Sequence, residues 1–305
     1  MPGGPHGGGP RPAISWSQGQ LADQGGYVTP PLCKEGYSEI VCALLSGGAE
    51  VNLPADDGGA PLHTACHGGH TEVVRALLSS GAEVDLLTKG GGSPLHGAYL
   101  LGHAEVVRVL LSGGAKVDLL TTCGMTSLHV VFRKGHVEVV RALLAAGAKI
   151  NLPVRFSSDG VAPMHVACLG GHTEVVRALL SGGAKVNLQT TRGVSPLDMA
   201  CHAGHTEVVL ALLSGGAKVD LLDKDGASSL HLACQHGHIA VVRALLSAGA
   251  EVNLQSKDGN SPLLVACYDG HTEVVGALLS GGAEVDLQNS KGYSPLHMAC
   301  QRAAA

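Results

Sequence analysis

Apolar positions in this chain follow one short rule, repeated many times. In Gly170–Gln189, "GGHTEVVRALLSGGAKVNLQ", valines and leucines fall on one side of a 3.6-residue period, the pattern of an amphipathic helix. A Thr-Glu pair opens the segment and places acid in the first turn, where the helix dipole favours it. Paired glycines close it. Nearly the same words recur at Gly69–Val84, Gly204–Val219 and Gly270–Val285. Upstream of each lies a shorter apolar pattern. In Ser195–Cys201, Ser195 reads as an N-cap, Pro196 as the first helical residue, and Leu197, Ala200 and Cys201 as a buried side. Downstream comes a polar, turn-rich stretch such as "KVDLLDKDG" (218–226). The pattern predicts helix, turn, helix, long link.

The period is measurable. The glycine ahead of each Pro-Leu-His-like motif falls at Gly58, Gly91, Gly124, Gly160, Gly193, Gly226, Gly259 and Gly292, at intervals of 33 with one interval of 36. This predicts full units over 58–90, 91–123, 124–159, 160–192, 193–225, 226–258 and 259–291. A degenerate unit precedes them from Gly25, its first helix damaged by Pro30-Pro31. Another stops after one helix, "SPLHMACQRAAA", which reads as a piece of a longer array or an imperfect reading frame. Residues 1–24, rich in Pro and Gly, read as a disordered tail ahead of a stack over 25–305. Helices this short are marginal alone, so stacking has to supply the stability. The fold class expected is all-α, a helical repeat solenoid.

The words "APLHTAC" (60–66), "SPLHMAC" (294–300) and "GHTEVVRALLSGGAKVN" (171–187) resemble the ankyrin-repeat signature. The resemblance covers about residues 25–300. It implies L-shaped repeats with β-hairpin fingers at right angles to the helix pairs. It also implies a non-enzymatic scaffold that binds a protein segment on its concave first-helix and finger surface. An alternative is that the array is the recognition part of a larger protein, such as a channel, kinase or ubiquitin-ligase adaptor.

Composition narrows the picture. A net charge of −5 gives no reason to expect nucleic-acid binding, and no apolar run reaches the roughly 18 residues of a membrane span. The N-terminus lacks a secretory signal, so an intracellular protein, cytoplasmic or nuclear, is expected. Nine cysteines include a column of seven at repeat spacing, from Cys33 to Cys300, with no Cys-x-x-Cys. They read as small buried side chains in a reducing compartment. Of seventeen histidines, six occupy the Pro-Leu-His slot (His63 to His297) and seven the Gly-His slot (His70 to His271). Same-slot neighbours should sit a helix spacing of about 8–10 Å apart, too far to share a zinc ion with bonds near 2 Å. A structural role, with no metal, cofactor or catalytic residue, is expected. Asp198 and Leu264 replace the slot histidine and Ser127 and Ser229 its proline, so those units should be weaker.

Departures from the repeat are where a specific partner would leave its mark. Tyr99 and Phe132 stand in the cysteine slot, followed by Leu100-Leu101 and by Arg133-Lys134. Arg155 and Phe156 lie in the three-residue insertion. Tyr99, Phe132, Arg133, Lys134, Arg155 and Phe156 are the candidate partner contacts, although the two slot aromatics read rather as core replacements filling the cysteine slot. The acid-or-base position before each Gly-Ala-x-Val valine reads Glu50, Glu83, Lys116, Lys149, Lys185, Lys218, Glu251, Glu284. A basic middle between acidic ends predicts a protein partner with an acidic or mixed acidic-apolar segment.

Overall fold

The computed structural model describes residues 38–119, 127–153 and 159–303, with the side chains of Val130, Arg133, Arg302 and Ala303 left out. The tail at 1–24 and the Pro30-Pro31 pair lie outside the described residues. Helix α1 (Ser38–Ser46) is the first element among the described residues. Seven helix pairs follow: α2 (Pro61–Gly68) with α3 (Thr71–Ser79), α4 (Pro94–Leu101) with α5 (Ala104–Ser112), α6 (Ser127–Lys134) with α7 (Val137–Ala145), α8 (Pro163–Leu169) with α9 (Thr173–Ser181), α10 (Pro196–Ala203) with α11 (Thr206–Ser214), α12 (Ser229–Gln235) with α13 (Ile239–Ser247), and α14 (Pro262–Asp269) with α15 (Thr272–Ser280). Helix α16 (Pro295–Ala303) closes the described chain.

Each first helix packs on the next first helix, from α2 to α16, and each second helix on the next second helix, from α1 to α15. The result is two parallel rows with one aliphatic core between them. Every Gly-His helix puts its two valines and its second-turn leucine inward, as Val208, Val209 and Leu212 do in α11. Each first helix from α2 to α14 adds its leucine or methionine, such as Leu62, Met164 and Leu230. Burying a leucine this completely contributes about 1.5–3 kcal/mol, so the repeat's stability lies in its junctions rather than in any one helix. At α16 the row has a neighbour on one side only among the described residues. Leu296 is accordingly 71% exposed, where its counterparts Leu197 and Leu230 are at most 1% exposed.

The links carry turns where hairpin strands were expected, and no strand occurs among the described residues. In the link after α9, Thr190 donates its N–H to the Val194 carbonyl and Gly193 donates to the Thr190 carbonyl, both at 2.9 Å. A single backbone bond then crosses to the following link, from Lys224 N–H to the Arg192 carbonyl at 2.9 Å. One bond per junction makes no ladder. Side chains do the rest: Gln189 Nε2 donates both to the Gly193 carbonyl and, across the junction, to the Leu222 carbonyl.

Candidate interaction surface

The histidines hold neighbouring units together. In the Pro-Leu-His slot the imidazole is the third helical residue. Nδ1 of His165 accepts the N–H of Ala162 at the helix start, the back-bond that a Glu makes in a capping box. Its Nε2 donates to the Val194 carbonyl in the next link at 3.1 Å. His63 and His231 repeat the arrangement onto Leu86 and Asn260. Burial pushes His129 and His96 down to about 4, which keeps these rings neutral. In the Gly-His slot the ring reaches back instead: Nε2 of His103, His205, His238 and His271 lies 3.1 Å from a carbonyl of the preceding first helix. The junction between α8 and α10 holds one ring from each slot, His165 and His205, both bonded to backbone of the adjoining unit, which is structural work. No group of three or more side chains able to hold a metal occurs among the described residues.

Two candidate contacts need correcting. Tyr99 and Phe132 are 1% and 0% exposed, so they are core residues and cannot anchor a partner. The cysteine slot faces the stack interior, as buried Cys66, Cys168, Cys201 and Cys234 show, and the rings simply fill it. The column itself loosens toward the end, with Cys267 partly buried and Cys300 exposed. What surfaces beside Tyr99 is the leucine pair that follows it, Leu100 at 38% and Leu101 at 42% exposed. Lys134, at the same place on the adjoining α6, is exposed. Arg133 sits beside it on the last turn of α6, its side chain not described. Arg155 and Phe156 lie outside the described residues. The missed pair was legible in one respect: leucines occupy both positions ahead of a Gly-His turn, where other units carry Gly, Ala or a polar residue at one or both.

The four central lysines are all exposed, and the fold sets them in register. Each lysine's backbone N–H donates to an Asp or Asn carried by the unit before it: Lys116 to Asp85, Lys149 to Asp118, Lys185 to Asn151 and Lys218 to Asn187, at 2.8–3.1 Å. The row therefore has a fixed spacing along the links. It opens near Asp85, 3.9 Å from Lys116 Nζ. Leu100 and Leu101 lie at the C-terminal end of α4, a helix of eight residues and about 12 Å.

The second-helix row carries a different pattern. Arg75 pairs with Glu105 and Arg108 with Glu138, at 3.0 and 3.2 Å, so the arginines bridge neighbouring units as well as their own helix. All are about half exposed or more and contribute little individually. Gly276 stands in the arginine position of α15 and leaves an open groove of about 700 Å³ against α13.

No helix among the described residues is long and apolar enough to cross a membrane. Among curated proteins none matches the chain. The family model for ankyrin repeats matches residues 32–121, 113–190, 182–256 and 248–304. With helix pairs stacked in two rows, a histidine staple at the start of the first helix and an imidazole clasp at the second, the chain belongs to the ankyrin-repeat family.

Proposed function

We propose that this protein is a non-enzymatic docking scaffold that binds an acidic segment with apolar residues along its central lysine row. Ankyrin repeats are in general protein-interaction modules, and the chain's described side chains spend their polar groups on holding units together. The observation that carries the reading is the row Lys116, Lys149, Lys185 and Lys218, exposed and set in register by backbone bonds from the preceding unit. Acidic residues Glu83 and Glu251 take the same position on either side, which bounds the basic stretch. Lys134, Arg133 and Arg155 add charge to the same units, and Leu100-Leu101 offer the apolar contact that the buried aromatics cannot. Buried free thiols agree with a reducing interior, cytoplasmic or nuclear.

Charges at the edge of such a surface act mainly on association rate and are screened by salt. The test uses a labelled peptide of alternating Glu and Leu, with a Lys-for-Glu peptide as control. Affinity is read by fluorescence anisotropy at two salt concentrations. The wild type should prefer the acidic peptide and lose affinity with salt. Lys149→Glu with Lys185→Glu should weaken binding at least about tenfold, equivalent to 1.4 kcal/mol, and flatten the salt dependence. Equal affinity for both peptides, or no effect of the double reversal, would reject the lysine row as the site.

A further inference from the structure

His202 and His236 belong to neither of the two repeated histidine slots. His202 stands near the end of α10 and is half-buried. His236 caps the C-terminus of α12 and is exposed. They stand one residue more than a repeat apart, so stacking brings them side by side across the junction. Their ring centroids lie 4.3 Å apart, with the ring planes at 86°. Neither ring has a hydrogen-bond partner among the described residues, whereas the slot histidines around them are bonded to backbone.

The junction that carries the two rings is fixed by other bonds. Where other first helices place a histidine, α10 places Asp198, and its Oδ1 accepts the hydroxyl of Ser229 on α12 at 2.6 Å. Nε2 of His238 lies 3.1 Å from the His202 carbonyl. The backbones under both rings are thus held without help from the rings themselves. His238 is 5.9 Å from His236 but spends its Nε2 on that carbonyl, so it is no third ligand. The spacing argument against a shared zinc ion concerns rings of one slot, a helix spacing apart. His202 and His236 come from different positions of their units and are closer. His67 holds in α2 the place that His202 holds in α10, but the unit after it puts Leu101 where His236 stands.

We propose that His202 and His236 form a two-imidazole site for a divalent ion of the nickel, copper and zinc group, which clamps α10 to α12. With bonds of about 2.0–2.1 Å, such an ion lies roughly 3.2 Å from each ring centroid, and two rings at a right angle on it stand about 4.5 Å apart. The observed 4.3 Å is close to that span. The terminal torsion of a histidine is broad, so each ring can turn a nitrogen toward a point between them. Imidazole nitrogen suits these metals, whereas magnesium and calcium take oxygen. A metal needs the neutral ring. Burial, and after it the neighbouring imidazoles, hold both rings below the ordinary imidazole range, which leaves each a free lone pair at neutral pH. Two protein ligands are fewer than the four of a structural zinc site, so water completes the shell and the ion exchanges. An ion that binds only the closed junction stabilises it in proportion to its free concentration, which makes the clamp reversible.

Isothermal titration calorimetry of the full, untagged chain with nickel(II) tests this at about pH 7.5, with accessible thiols alkylated and magnesium(II) as control. Nickel should bind and magnesium should not. His202→Gln and His236→Gln should each weaken nickel binding at least about tenfold. His67→Gln, at the junction where Leu101 takes the second place, should leave it unchanged. Nickel affinity that survives either of the first two variants, or that His67→Gln weakens as much, would overturn the proposal. If a variant does not fold, hydrogen exchange of the wild type with and without nickel decides. Added protection centred on α10 and α12 supports the clamp, and added protection spread evenly over the stack, or none, overturns it.

Discussion

Gly259 and Gly249 offer a clean separation of two costs that are usually mixed. Both adopt left-handed backbone, with φ of +76° and +83°. A side chain at Gly249 would meet nothing within 4 Å, whereas one at Gly259 would place its Cβ 2.6 Å from the backbone nitrogen of Ser290 and 2.9 Å from Cα of Asn289. Gly249→Ala therefore carries only the left-handed penalty, about 1–2 kcal/mol. Loss of glycine's freedom in the unfolded chain offsets roughly 0.4–1 kcal/mol of it. Gly259→Ala carries the same net cost and a clash with backbone, which cannot rotate away. The following link must move, and the bond from Ser290 N–H to the Asp258 carbonyl, 2.9 Å, is the first to break. Both residues are exposed, so losing that bond costs about 0.5–1.5 kcal/mol. Urea denaturation at 25 °C should place Gly249→Ala within about 1 kcal/mol of wild type and Gly259→Ala a further 0.5–1.5 kcal/mol below it. Equal destabilisation of the two would refute the claim that this glycine is set by close approach of the next link rather than by its dihedral angle alone.

Other consequences are as direct. Asn187 and Asn253 not only accept a backbone N–H but donate to the Gly216 and Gly282 carbonyls, a bond that Asp220 in the same position cannot make; Asp220→Asn should stabilise the chain by about 0.5–1 kcal/mol in urea melts. Phe132→Ala should cost about 3–5 kcal/mol in the same assay, because the ring is fully buried in the core and its slot cannot collapse between packed helices. In a thiol-reactivity time course, Cys42 and Cys300 should react at once, while Cys66, Cys168, Cys201 and Cys234 should wait for denaturant, since burial both covers them and raises their thiols well above the ordinary range. Rapid labelling of Cys201 in the native protein would contradict the packing of α10.

The local grammar of the chain determined its helices. Ser-Pro at a helix start, acid in a first turn, paired glycines at a helix end and apolar positions on one side are all short-range signals, and the helices from α2 to α15 sit where those signals put them. The near-constant 33-residue spacing also brought the Gly-His rings to equivalent places at successive junctions, because similar units stacked in register bring identical slots together. What sequence could not decide was anything that depends on two units at once. Tyr99 and Phe132 stay both candidate anchors and core fillers in the sequence, with core filling favoured, until the stack closes over the cysteine slot. Leu100 and Leu101 follow Tyr99 directly, and only the packed stack shows that the ring turns inward while the two leucines reach the surface. Asp198 and Ser229 read as two separate defects, each expected to weaken its unit. Only the stacking of α12 on α10 brings their oxygens to 2.6 Å and turns the pair into a bridge. Likewise the lysine row is a list of letters in the chain and becomes a spaced surface only through the Asp and Asn bonds from the unit before. Helix signals act over about one turn, whereas burial and side-chain pairing are settled by neighbours some thirty residues away.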